Sequence, residues 1–175
     1  MATNSRRFRC SAKQVFAVLS DGWLYPSWVV GASRMRDVDE TWPKPGSHLH
    51  HSVGVWPLLL NDSTTVRDWD PPRRVVLRAR GWPLGEATVR ITAEPFGEEC
   101  VVRIVEVAAE GPARLMPRWF TNLVIGWRNR ETLHRLAYLA EGRAGEASRE
   151  ASSRNGPGRS TAQPRGSTAP SSEAV

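Results

Sequence analysis

The stretch 112–141 is the one part of this chain long and periodic enough to form a long helix, and the residues before it fall into short runs divided by Gly, Pro, Asn and Asp. Such a chain has to arrange short strands around one rod. At about 100° per residue, Leu115, Trp119, Asn122, Gly126, Asn129, Leu133, Leu136 and Ala140 lie along a single stripe of that rod. The ends of the stripe are apolar, and its middle is polar and small. A second set, Phe120, Leu123, Val124 and Trp127, flanks the first half and gives way to Glu131 and His134. Two packings follow. In one, the helix packs at both ends and faces a cavity between them. In the other, the flanking set makes the core contact and the asparagines point to water. Periodicity does not separate the two, because it does not say which face meets the sheet.

Ahead of the helix, a first strand is expected over 5–10, after which Ser11 offers a side-chain oxygen to the free amides of a helix beginning at Ala12. Asp21 and Gly22 end that helix. A second short helical turn follows over 23–30, interrupted by Pro26 and closed by Gly31. Strands are then expected over 47–55, 61–70, 74–80, 85–94 and 100–109, preceded by one over 33–38, with Pro71 and Pro72 as the sharpest break. Alternation assigns faces. Val75, Leu77 and Ala79 oppose Arg74, Arg78 and Arg80, and Ala87, Val89 and Ile91 oppose Glu86, Thr88, Arg90 and Thr92. Arg103 marks the solvent face of the last strand, so Val102, Ile104 and Glu106 share the inner one. Glu106 is thus a carboxylate on an otherwise apolar face.

Residues 142–175 contain no aromatic residue and no Leu, Ile, Met or Cys. Such a segment has too little apolar surface to offset its ordering entropy, so the folded domain is expected over 1–141 and a disordered Gly/Ser/Pro/Arg-rich tail over 142–175. The net charge of +6 rests on 22 Arg and two Lys, a bias that fits a GC-rich bacterial genome. Arginines are interspersed with acids and form no basic stripe, which argues against nucleic acid as a partner. Cys10 and Cys100 fit no metal or redox spacing and read as reduced, buried thiols. The opening residues lack the apolar run of a signal peptide, and no stretch approaches the ~18 apolar residues of a membrane-spanning helix, so a cytoplasmic protein without an integral membrane segment is expected.

The order strand, two short helices, six strands, long helix resembles the helix-grip fold of the START/Bet v 1-like (SRPBCC) superfamily, the polyketide cyclase/dehydrase and lipid-transport group in particular. The resemblance is carried by SAKQVFAVLSDGWLYPSWVVG, WPKPGSHLHHSVGVWP, DWDPPRRVVLRARGWP and WRNRETLHRLAYLAEG, and spans about 3–141. It implies an α+β fold in which a curved, seven-stranded antiparallel sheet grips the C-terminal helix, with two short helices between the first and second strands. It also implies a cavity for an apolar or amphipathic small molecule. Members of the group include polyketide aromatases and cyclases, lipid and sterol carriers, and ligand-responsive regulators, and a shared fold does not choose among them.

The densest titratable cluster is His48, His50 and His51. By strand parity His51 points inward and the other two outward, so the three imidazoles cannot converge on one metal, and no metal or cofactor is expected. His51 and Glu106 are the candidates for acid and base catalysis; Asp68 is a further carboxylate with a claim to face inward. Glu106 could equally pair with an arginine at the cavity mouth and serve the fold alone. Candidate ligand contacts are Trp28, His50, Trp56, Trp69, Trp82, Trp119, Asn122, Leu123, Gly126, Trp127 and Asn129, the tryptophans because broad rings with one N–H donor suit a pocket wall. The expected partner is a hydrophobic small molecule; a homodimer stays open. The chain is read as a binding module, with a polyketide aromatase/cyclase-like enzyme as the alternative.

Overall fold

The computed structural model describes residues 2–55, 58–81, 85–110 and 118–154. In chain order these form β1 (Ala2–Phe8), α1 (Ala12–Leu19), a 3₁₀ turn (Gly22–Leu24), α2 (Tyr25–Trp28), β2 (Ala32–Val38), β3 (His48–Val55), β4 (Leu58–Asp70), β5 (Arg74–Gly81), β6 (Gly85–Phe96), β7 (Glu99–Glu110) and α3 (Arg118–Arg154). The strands make one seven-stranded antiparallel sheet in the order β1-β7-β6-β5-β4-β3-β2. This is the α+β helix-grip arrangement. Register shifts interrupt the β2–β3, β4–β5 and β6–β7 ladders, and such bulges bend the strands they interrupt.

Local chemistry explains the element ends. The Ser11 hydroxyl accepts from the Gln14 amide while the Ser11 amide donates to the Gln14 side chain at 2.8 Å, a capping box that satisfies two orphan N–H groups at the start of α1. The 3₁₀ turn lies tight against the sheet: a Cβ on Gly22 would come within 2.8 Å of both Leu49 and Val38 side-chain carbons.

The core fills the space between α1, α2, the inner sheet face and the C-terminal half of α3. Phe8, Val15, Val18, Leu49, Ile91 and Ile104 are fully buried, as are Leu133, Leu136, Ala137 and Ala140 of α3. Glu141 fastens this part of the helix by accepting from the Arg9 backbone amide at 2.9 Å. Leu115 and the side chain of Trp119, the N-terminal end of the stripe, lie outside the described residues; its C-terminal end is packed. Asn129 is buried, whereas Leu123, Val124 and Trp127 are 65%, 47% and 66% exposed. From Asn129 to Ala140 the stripe faces inward, while these three members of the flanking set are largely exposed.

Two sequence expectations need correction. The helix does not stop near Glu141 but runs to Arg154. Extending an existing helix adds one hydrogen bond per residue without a new nucleus, and Ala, Glu and Arg are good helix formers, so this segment needs no core of its own. The Arg143–Asp21 ion pair at 3.1 Å and packing of Ala144 against the core secure its first turn. Asp68 does not face inward either. The ladder slips between Val66 and Asp68, reversing the parity beyond Arg67, and Asp68 pairs with Arg74 at 2.7 Å on a half-exposed surface.

Gly126 has open space where a side chain would begin. Gly126→Ala should therefore raise stability by about 0.5–1 kcal/mol, the difference in helix propensity, in a chemical denaturation experiment. An unchanged or lowered midpoint would show that this turn is constrained by close contact.

Candidate functional site

Ahead of Leu133, α3 and the sheet border a cavity of about 300 Å³. Leu77, Val89, Ile91 and Ile104, from three adjacent strands, supply an apolar wall. Their inward direction follows from the period of two along each strand. Tyr25 and Trp28 of α2 close one side, and Val124, Trp127, Arg128, Asn129 and Thr132 of α3 close the other. The segment joining α2 to β2 is tied to α3 where the Val30 amide donates to the Thr132 hydroxyl at 3.3 Å.

Polar groups are set into this apolar wall at defined places. His51 on β3 is 3% exposed; its Nε2 lies 3.1 Å from the Thr64 hydroxyl, which lies 2.9 Å from the Tyr25 hydroxyl. Thr64 has one proton to give. Run from Tyr25 O–H to Thr64 and from Thr64 O–H to His51 Nε2, the chain puts the imidazole proton on the unpartnered Nδ1; run the other way, it puts that proton on Nε2 and leaves the Tyr25 O–H without an acceptor. Burial holds the His51 pKa down to about 4, helped by the nearby Arg36 and His50 charges, so the ring is neutral at physiological pH. Burial likewise pushes the Tyr25 phenol up to about 12, partly offset by its bond to Thr64. Asp62, directly across the ladder from His51, is buried, and desolvation raises its carboxyl above the usual range.

Glu106 projects from β7 into the same cavity. Arg128 Nη2 reaches both of its carboxylate oxygens, at 2.5 and 2.6 Å. The carboxylate is buried and the guanidinium is half in solvent, so the pair neutralises Glu106 while keeping part of the cation hydrated. Arg80, at the rim and largely exposed, touches Glu86 at 3.3 Å and shares it with Arg78, which holds it more closely.

The buried side-chain nitrogens Trp28 Nε1, His51 Nδ1 and Asn129 Nδ2 have no hydrogen-bond partner among the described residues. All three side chains line the cavity. Asn4 Oδ1 and Trp42 Nε1 are also unpartnered, but neither residue borders it.

Of the sequence-derived candidates, His51, Glu106, Trp28, Trp127 and Asn129 converge on the cavity. Others sit elsewhere. His50 faces the outer side of the sheet, where its ring stacks on His48 and its Nε2 lies 3.9 Å from Asp39. Trp69 packs on Phe16 with ring centroids 5.2 Å apart, because the slip at Arg67 turns it into the core beside α1. Leu123 and Gly126 are on α3 but outside the cavity lining. Trp56 and Trp82 lie outside the described residues, as do the side chains of Trp119 and Asn122.

Sequence reasoning missed Tyr25, Asp62, Thr64 and Arg128. Asp62 and Thr64 were within reach of it. A connection from Val55 to Leu58 sets His51 opposite Asp62 and Leu49 opposite Thr64, but starting the fourth strand at Asn61 hides that register. Arg128 carried no local signal, since its partner is 22 residues away.

Two stability measurements follow. Between pH 6.5 and about 4 the unfolded chain binds a proton at His51 that the folded chain does not, so this histidine lowers stability as pH falls through that window, by on the order of 3 kcal/mol in total. Asp62, with its raised carboxyl, acts in the opposite sense above pH 3.8. The slope of unfolding free energy against pH in this window should therefore be shallower in His51→Gln than in the wild type; equal slopes would place the imidazole in water. Arg128→Met should destabilise the protein by about 3 kcal/mol by leaving Glu106 buried and unpaired, and adding Glu106→Gln should restore most of the loss.

Comparison with known proteins places the fold. No curated protein is matched at a significant level. Among solved structures, the di-domain ARO/CYC StfQ from the steffimycin biosynthetic pathway superposes with a TM-score of 0.66 at 15% identity, covering 82% of this chain and 51% of that one. A protein from Nitrosomonas europaea gives 0.64 at 14% identity, covering 82% and 95%. A START superfamily protein from Mycobacterium smegmatis gives 0.58 at 18% identity, covering 83% and 97%. At these identities the likeness is one of fold. The family model described as polyketide cyclase / dehydrase and lipid transport matches residues 2–141, and the chain belongs to that family.

Proposed function

We propose that this protein binds a hydrophobic or aromatic small molecule, such as a lipid, a polyketide or a related metabolite, in the cavity between the sheet and α3. The observation that carries this reading is the combination of an apolar wall with three unpartnered nitrogens on its lining side chains. A filled core would have placed apolar side chains there, since an unsatisfied buried donor costs about 1–3 kcal/mol. Trp28 and Trp127 flank the ligand and Asn129 orients it. Trp56, Trp82, Trp119 and Asn122 remain proposed contacts on the strength of the sequence. Trp127, two-thirds exposed yet bordering the cavity, sits where a ligand would enter.

His51 favours a second reading, an aromatase/cyclase-like enzyme that works by proton transfer; the ARO/CYC name of StfQ supports the same class. A neutral imidazole held by a Thr64–Tyr25 chain is suited to moving a proton at a bound carbonyl compound. In this reading the Asn129 amide holds the carbonyl oxygen and stabilises the charge that develops on it. Glu106, tied to Arg128, sets the field of the site and is the weaker candidate for a transferring group.

The test uses N-phenyl-1-naphthylamine, an uncharged dye that fluoresces when removed from water. It should bind the wild-type protein, and Val89→Trp, which fills the cavity from β6, should weaken binding at least tenfold while unfolding stays cooperative. Equal binding by both proteins would locate the dye elsewhere and sink the cavity reading. Native mass spectrometry of protein purified from its own host would then report the bound class. For the enzyme reading, His51→Ala should abolish turnover of a polyketide substrate while dye binding survives.

A further inference from the structure

The chain has two cysteines, far apart in sequence, and the fold brings them together. In the β1–β7 ladder Cys100 stands opposite Phe8, and both are fully buried. The chain bends over 9–10, and Cys10 turns into the same core cluster at 4% exposure. There the two thiols are hydrogen-bonded to each other, and both are free. A pair of thiols in contact can do what a single buried thiol cannot, which is to close a covalent bond on loss of two hydrogens. The hydrogen bond also makes the two unequal. Donation by Cys10 pulls the Cys100 thiol below its ordinary value, against the effect of burial, while Cys10 is pushed up. Cys100 is thus the sulfur suited to attack as thiolate, and Cys10 the one suited to resolve.

We propose that Cys10 and Cys100 are a modification site, an internal disulfide made when a hydroperoxide oxidises the folded protein. The Cys100 sulfur attacks the terminal peroxide oxygen; the O–O bond breaks, an alcohol leaves with the Cys100 proton, and Cys100 becomes a sulfenic acid. The Cys10 sulfur then attacks the Cys100 sulfur, the S–O bond breaks, and water leaves with the Cys10 proton. Two electrons pass from the thiols to the peroxide. The sulfurs close from hydrogen-bond contact to about 2.05 Å. The bridge joins the chain just after β1 to the start of β7, next to Arg9, whose backbone amide holds Glu141 of α3. Oxidation therefore staples the corner to which α3 is fastened. Neither cysteine borders the cavity, so the bridge is independent of what the cavity binds.

The test treats the full-length protein with tert-butyl hydroperoxide under native conditions, denatures it in excess N-ethylmaleimide and reads its intact mass. The wild type should lose two hydrogens and take up no maleimide, and a thiol reductant should return both thiols. By restraining a long loop of the unfolded chain, the bridge should raise the melting midpoint by about 5–15 °C over the reduced protein. Cys10→Ser should form no internal bridge, and treatment should not raise its midpoint; Cys100→Ala serves as the second variant where Cys10→Ser does not fold. Survival of both wild-type thiols at a peroxide dose that consumes those of the urea-unfolded chain overturns the proposal. Oxygen addition or bridging between chains in place of the internal bond does so too, as does a bridged protein that melts below the reduced one.

Discussion

The structure depends on where α3 is held. Its middle buries Leu133, Leu136, Ala137 and Ala140, in a helix that packs on β1, α1 and β7, and Glu141 is fastened to the backbone of Arg9. Each fully buried leucine contributes roughly 1.5–3 kcal/mol, and the two alanines let the helix approach closely. Leu123, Val124 and Trp127, in the turns that precede the anchor, are instead largely exposed. Held at its middle, the helix leaves a gap between the sheet and the turns that precede the anchor. The cavity is the geometric result of that asymmetry.

Polar groups inside such a gap are costly, and the arrangement limits the cost by pairing. Glu106 is neutralised by Arg128, while Thr64 joins His51 to Tyr25 through two hydrogen bonds. Desolvation keeps His51 and Tyr25 in their uncharged forms. Three nitrogens are left over, and all belong to side chains that border the gap. Unpartnered nitrogens beside a paired carboxylate distinguish this site from one built around a metal-binding cluster; among the described residues no group of three or more His, Cys, Asp and Glu side chains could hold a metal ion.

Much of the fold was legible because its signals are local. Strand parity put Leu77, Ile91, Ile104 and Glu106 on the inner face and His51 opposite in orientation to His48 and His50, and Ser11 marked the start of α1, all as found. A period of two or 3.6 needs only neighbours along the chain. Reading failed where one residue altered the count or where a partner was distant. The slip at Arg67 moved Asp68 out and Trp69 into the core. Apolar periodicity ended the helix at Glu141 because it marks only turns that pack on a core, whereas helix extension requires only propensity.

By itself, then, the sequence determined the elements, their order and the inward face of most strands, since these follow from backbone geometry over a few residues. The tertiary structure decided which face of α3 meets the sheet, that Arg128 answers Glu106, and that Trp28, His51 and Asn129 bring unpartnered nitrogens to one cavity. Those outcomes depend on distances between residues far apart in the chain. Hydrogen bonds and ion pairs act over about 3 Å, and only packing brings such residues that close.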